Sequence, residues 1–289
     1  MTRFVVVPQW QGSPAARAML LAAGAEAIAG DLPRAKTVVV EVPVEAGEAQ
    51  GTGVRRFSAI ARVHEAVADA LAAGGVDASH PTGREPAIVV GGDCGVAVPA
   101  IAHAAAAHEG LAVVWFDAHA DLHSPATSPS GAFAGMALRA VIDDLPSPSA
   151  GATPGAPHGA VPPERVFLAG ARELDDAEAD LLDGGAGTPR HLAPADLDDP
   201  TALVDAVAAS GAPALYVHVD LDVLDPAVIS GVSLPVPFGL TLEQLVATVA
   251  ALRERLPLVG ASIAGFAPAA PAAAVDDLGT ILRVVGALA

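Results

Sequence analysis

The chain of 289 residues reads as an α/β protein, a three-layer α/β/α arrangement around a mainly parallel sheet of about eight strands. Three observations predict this. Short Val- and Ile-rich runs alternate with Ala-rich helical stretches from end to end. Most of the runs are apolar on both alternating sets of positions, as in a strand covered on both faces. Two of them end in acidic clusters, and parallel sheets place their sites at the carboxyl ends of strands.

In chain order, Arg3–Val7 and Thr37–Val42 are strands by their consecutive valines, and Arg55–Ala73 is an Ala-rich helix. Ala87–Gly91 is a strand, Gly95–His108 a helix and Ala112–Asp117 a strand. Pro146 to Pro163 is rich in Pro, Gly, Ser and Ala and has no periodic face. It is a long loop and not a domain boundary, because the alternation resumes at Arg165. Arg165–Ala169, Arg190–Leu192, Ala214–Asp220 and Leu258–Ala264 complete the strands. Asp175–Leu182, Pro200–Ala208, Leu242–Arg255 and Ala273–Leu288 complete the helices. Right-handed crossovers then link the strands, and one domain is expected over residues 1–289.

Composition excludes several classes. A formal net charge of -18 argues against nucleic acid, whose phosphates need clustered Lys and Arg. It also disfavours anionic membranes and suits a cationic substrate or metal ions, besides conferring solubility. The single cysteine rules out an internal disulfide framework and fits a reducing cytoplasm. The apolar run at the N-terminus is too short for a signal segment. No uninterrupted apolar stretch approaches the roughly 20 residues of a membrane span.

The chemistry lies in two segments. One is Trp115-Phe116-Asp117-Ala118-His119-Ala120-Asp121, and the other runs from His218 through Asp220-Leu221-Asp222 to Asp225-Pro226. Alternate residues of an extended strand share a face. Asp117, His119 and Asp121 therefore converge if the backbone stays extended, as do Asp220 and Asp222. Carboxylates gathered this way, with no Lys or Arg in either segment, repel one another unless cations bind. The pattern reads as a metal site, most simply one for two ions. The competing reading is that Asp117 and Asp121 cap a helix or solvate a loop. Asp93 and Asp225 are expected to bond turn amides nearby.

Asp-Ala-His-Ala-Asp followed by Asp-Leu-Asp and Asp-Pro resembles the arginase/agmatinase (ureohydrolase) family. Gly91-Gly92-Asp93-Cys94 is similar to that family's first motif, with Cys in place of His. The resemblance implies an arginase-like fold and two metal sites. Site A would be held by Cys94, Asp117, Asp121 and Asp220. Site B would be held by Asp117, His119, Asp220 and Asp222, with Asp117 and Asp220 bridging. Oxygen donors with one imidazole suit two Mn²⁺ ions, whereas a thiolate at site A favours Zn²⁺ or Fe²⁺. Such a pair, about 3.5–4 Å apart, lowers the pKa of a shared water, which would attack the central carbon of a guanidinium or amidine. Site B is expected to fill more tightly. Cys94 is read two ways, as an inert buried hydrophobe or as a metal thiolate.

The resemblance further assigns Ser130, His123 and Asp175 to the substrate, with His123 and Asp121 in catalysis. His123 reads more often as a solvated loop residue, and Asp175 equally as an N-cap. Two positions depart from the family. Ala134 stands where arginases have a proton-shuttling His, and Gly265 where they have a Glu that grips the guanidinium. Loss of a general acid costs on the order of 10²–10⁴ in rate. The expected function is thus a metal-dependent hydrolase of non-peptide C–N bonds in guanidino, hydroxyguanidino or amidine-type molecules. The alternative is a catalytically silent ureohydrolase-like metal-binding or oligomer-partner protein. Restoring Gly265→Glu with Ala134→His is expected to raise arginine hydrolysis. The partners expected are the small-molecule substrate and further copies of the chain in a homo-oligomer, with no nucleic acid and no membrane.

Overall fold

Eight strands form one sheet in the order β2-β1-β3-β8-β7-β4-β5-β6, and every pairing is parallel. The strands are β1 (Arg3–Val7), β2 (Thr37–Val39), β3 (Ala87–Gly91), β4 (Ala112–Phe116), β5 (Val166–Ala169), β6 (Arg190–Leu192), β7 (Leu215–Asp220) and β8 (Leu258–Ala264). This computed structural model describes residues 2–289 apart from 76, 78–79, 81–82, 84, 144–158 and 186. Residues 146–158 of the expected loop therefore lie outside the described residues. Pro163–Arg165 forms a 3₁₀ turn that feeds β5.

The helices are α1 (Leu20–Gly30), α2 (Phe57–Ala72), α3 (Ala97–Ala107), α4 (Ala137–Ile142), α5 (Asp176–Leu182), α6 (Thr201–Ala209), α7 (Leu242–Arg255) and α8 (Ala274–Leu288). Two of these, α1 and α4, are absent from the sequence expectation. The α1 segment, LLAAGAEAIAG, is small and apolar nearly all round, so it offers little contrast between faces. The α4 helix is a short continuation of a 3₁₀ turn at Ala134–Met136. Boundaries shift for local reasons. Arg56 takes a left-handed φ of 57° and delays α2 to Phe57, and Cys94–Val96 forms a 3₁₀ turn before α3.

Alternation along each strand divides the core. Val5, Val89, Val113, Trp115 and Leu168 pack with α2, α3 and α4 on one face. Phe4, Val90, Val114, Phe116 and Phe167 pack with α6, α7 and α8 on the other. Each fully buried Val or Phe is worth about 1.5–3 kcal/mol relative to exposure. Burial on both faces is what forces the sheet to the centre. The link from β3 to β4 runs through α3, which packs across β8 and β7. That jump brings the carboxyl ends of β3, β8, β7 and β4 side by side, and a ligand crevice opens where strand order reverses.

Candidate metal centre

Beyond these four strand ends lies a cavity of about 200 Å³. Its floor begins at β3. A side chain at Gly92 would lie 1.7 Å from the Gln9 carbonyl oxygen, so only glycine lets the chain pass there. The Asp93 carboxylate then ties the turn, accepting from Gly95 N at 3.0 Å, Gly12 N at 2.9 Å and Gln9 Nε2 at 2.9 Å. Two of these partners are backbone amides, as expected, and the third is a side-chain amide. Asp225 behaves likewise, accepting from Ala227 N at 2.9 Å and Gly239 N at 3.1 Å. This leaves Cys94 facing the cavity, with Sγ donating to Asp220 Oδ2 at 2.8 Å and lying 3.8 Å from Asp117 Oδ2.

The sequence expectation of an extended segment beyond β4 is corrected. The strand ends at Phe116, the chain bends at Ala118, and Asp121 adopts a left-handed φ of 53°, which Asp tolerates better than most residues. Asp117 drives the bend, because its Oδ1 accepts from His119 N at 2.8 Å. Its Oδ2 accepts from Trp115 Nε1 at 3.0 Å. Asp117 and His119 thus meet through a turn rather than a pleat. Asp220 closes β7, and Asp222 follows in a 3₁₀ turn whose N–H donates to Asp220 Oδ1 at 2.9 Å. Asp222 Oδ1 accepts from Ala118 N at 3.1 Å, joining the two segments. Behind them Arg172 donates to the carbonyls of Asp222 and Val236, at 2.9 Å and 2.6 Å, and so pins the loop after β7.

Electrostatically the floor has two sides. His119 Nδ1 lies 3.1 Å from Asp222 Oδ2 and 3.5 Å from Asp117 Oδ1. Burial works against its charged form, but the hydrogen bonds to Asp117 and Asp222 push the imidazole up to about 12. One donor atom each from Asp117, His119 and Asp222 lies within 4.8 Å of the others. On the other side stand Cys94, Asp121 and Asp220. Burial, then Asp222, pushes Asp220 up to about 7. Burial, then Asp117, raises Asp121 well above the ordinary carboxylate range, and burial with the Asp220 charge raises the Cys94 thiol. Asp121 Oδ2 is buried with no hydrogen-bond partner among the described residues. An acceptor starved of donors in an acidic cavity fits a divalent cation. The donors match: oxygens with an imidazole on the His119 side suit Mn²⁺, and sulfur on the other suits softer ions.

The rim carries the remaining predicted residues. Ser130 and His123 line the cavity with Ala134 and Gly265. Asp175 stands behind His123, its Oδ2 3.3 Å from Nε2, and caps α5 through Ala177 N and Glu178 N. Sequence reasoning missed Glu178. It is buried in the cavity wall, accepts from Leu122 N at 3.1 Å, and places Oε1 3.9 Å from His123 Nε2. Its signal was the capping-box spacing from Asp175, which implies only a local role. His218 was also missed. It lies on the same face of β7 as Asp220, and the fold stacks it on Trp115 with ring centroids 3.8 Å apart. The geometry argues against the expected rescue by Gly265→Glu. Gly265 has φ of 91°, and a Cβ there would stand 2.1 Å from Asp220 Oδ1. The Asp220 carboxylate occupies the space that a side chain would need.

An all-parallel α/β sheet with an acidic cavity at its strand ends defines the class: a three-layer α/β fold with its candidate site at a reversal of strand order. The family model described as "Arginase family" matches residues 17–278. The chain is 31% identical to the arginase of Bacillus caldovelox over 221 residues, covering 74% of this chain and 68% of that one. It is 30% identical to the N(omega)-hydroxy-L-arginine amidinohydrolase of Streptomyces lavendulae over 203 residues, covering 68% of this chain and 67% of that one. The match spans about half the length of the arginases of Bacillus subtilis and Staphylococcus aureus. The crystal structure of Entamoeba histolytica arginase superposes with a TM-score of 0.80 at 21% identity, covering 99% of this chain and 97% of that one. The chain belongs to the arginase family, a family of binuclear Mn²⁺ enzymes, and membership supports a hydrolase of guanidino compounds. Among the described residues, no helix is long and apolar enough to cross a membrane.

Proposed function

We propose that the chain is a metal-dependent amidinohydrolase acting on a hydroxyguanidino, amidine or other guanidino small molecule, with ordinary arginine a poor substrate. The observation that carries the reading is the convergence of Asp117, His119 and Asp222 donors within 4.8 Å at the cavity floor. Asp117, His119, Asp220 and Asp222 would hold one ion, and Cys94, Asp117, Asp121 and Asp220 the other. When bound, the pair acidifies a shared water and offsets the charge of its carboxylates.

The chain's own residues then decide the substrate. Glu178 and Asp175 present carboxylates beside His123, suited to an ammonium group at the far end of the molecule. His123, its Nε2 held by these carboxylates, lines the wall against which a substrate would rest, and Ser130 adds a hydroxyl at the rim. Near the reacting carbon, Gly265 supplies no carboxylate for a guanidinium. That contact is worth about 1.5–3 kcal/mol, a factor of ten to a hundred or more in binding. Ala134 supplies no proton for a leaving amine. A substrate that carries its own acidic N–OH needs both less than arginine does. The relative from Streptomyces lavendulae is named for such a substrate.

The test is release of urea, hydroxyurea or ammonia by Mn²⁺-loaded protein across arginine, N-hydroxyarginine, agmatine and simple amidines. Turnover of a hydroxyguanidino or amidine compound well above arginine is expected. Efficient arginine cleavage would overturn the substrate assignment. The bare Gly265 and Ala134 positions also favour a second reading, a catalytically silent homologue. A protein with both ions bound and no turnover across the panel would establish it.

A further inference from the structure

His218 has no place in the ligand sets above, yet its surroundings are those of a ligand. It is completely buried. Nδ1 bonds Ser262 Oγ at 2.7 Å, which leaves Nε2, and Nε2 has no hydrogen-bond partner among the described residues. A ring nitrogen of His218, Cys94 Sγ and an Asp117 oxygen all lie within 4.8 Å of one another. Zinc bonds are about 2.3 Å to sulfur and about 2.1 Å to nitrogen, so two such donors on one tetrahedral ion lie about 3.6 Å apart. Closing these three side chains on an ion asks for little movement.

The supporting contacts are also those of a ligand. In-register pairing puts Trp115 of β4 and Ser262 of β8 on either side of His218. Ser262 holds one imidazole nitrogen while Trp115 packs on the ring and donates to Asp117 Oδ2. An outer hydrogen bond of this kind fixes the tautomer and aim of a metal-bound His. The chain has Cys at the end of β3, where the family motif has a ligand His, and here an imidazole arrives from β7 instead.

We infer that Cys94, Asp117 and His218 form a sulfur–nitrogen–oxygen site for a zinc-class divalent ion, with His218 Nε2 as a direct ligand, on the β-sheet side of the carboxylate cluster. The inference rests on the metal-dependent reading and deepens it, since it makes the Cys94 side chemically different from the Mn²⁺-type His119 side. Binding there displaces the thiol proton to solvent and leaves a thiolate on the ion.

The experiment titrates metal-free full-length protein with Co²⁺, a spectroscopic stand-in for Zn²⁺, then with Zn²⁺ in chelator competition and with Mn²⁺. His218→Asn keeps a polar atom towards Ser262 and deletes Nε2. Thiolate-to-cobalt charge-transfer absorption is expected from the parent, together with one zinc ion in anomalous maps of crystals of the parent against Cys94 and His218. His218→Asn is expected to lose more than about 100-fold in Zn²⁺ affinity, beyond the 10–100-fold that an outer-shell partner costs, while Mn²⁺ affinity stays within a few-fold. A loss confined to that lower range makes His218 a positioning residue and overturns the ligand role. So does zinc density at the His119 group alone, which remains decisive should the variant not fold. Failure of the parent to bind Mn²⁺, Zn²⁺ and Co²⁺ at every group would instead remove the metal-dependent reading itself.

Discussion

The two sides of the cavity floor share strands and share Asp117, yet they are balanced differently. On the His119 side, an imidazole held up to about 12 bonds Asp117 and Asp222, so a protonated ring offsets part of their charge. On the Cys94 side there is a thiol, an Asp121 oxygen without a donor and a His218 nitrogen without one. Among the described residues no cationic side chain stands between them, and burial raises Asp121, Asp220 and Cys94 together. One side is compensated from within, and the other depends on what binds. The contrast explains how a family motif can exchange His for Cys on one side while the other keeps its donors.

The most severe way to break this contrast is to remove what both sides use. Asp117→Ala should abolish binding of both ions, whereas Asp121→Ala should weaken only the one on the Cys94 side. Metal content by elemental analysis decides, and two ions retained by Asp117→Ala would show that the sides are independent.

Gly265 tests the crowding of the Cys94 side. Gly265→Glu must adopt a positive φ and displace Asp220, whose Oδ1 lies 2.1 Å from the new Cβ position. Strained backbone costs about 1–3 kcal/mol before the clash is counted. We expect a lower melting temperature and weakened zinc binding, with no gain of arginine hydrolysis even beside Ala134→His. A stable variant that hydrolyses arginine faster than its parent would show that the Asp220 position is not fixed.

A smaller effect separates the sides by pH. Folding raises Asp220 from 3.8 to about 7, through burial first and the Asp222 charge second, so the folded state favours its protonated form. That stability is fully present below about pH 4 and is lost as the pH rises through about 7. Metal-free Asp220→Asn, which cannot ionise, should therefore match the parent near pH 4 and exceed it near pH 8. Equal denaturation midpoints at both pH values would remove the penalty. Binding of Mn²⁺ should tighten with rising pH over the same range, because the His119 proton must leave.

The rim should respond least. Asp175→Ala removes an N-cap worth about 1 kcal/mol, together with one carboxylate near His123. A raised KM with metal content unchanged is expected, and loss of metal would place Asp175 in the floor.

Much of the architecture is local and so was legible in the sequence. Consecutive apolar residues on both faces mark central strands, and the sheet bears this out for β1, β3, β4, β5, β7 and β8, whereas the edge strands β2 and β6 are partly exposed. The acidic clusters after Phe116 and at Asp220 announced a site at strand ends, because their residue types and spacing are properties of the chain. What tertiary structure decided are the features that depend on strand order. The sequence of neighbours β3-β8-β7-β4 sets Cys94 against Asp220 across 126 positions of chain, stacks His218 on Trp115, and lays Asp220 over the glycine that seemed free to accept a Glu. The left-handed turn at Asp121 and the burial of Glu178 beside His123 belong to the same class. A residue's type and period are written where it stands, but the identity of its neighbour, and hence its charge state and its room to change, exists only once distant strands have paired.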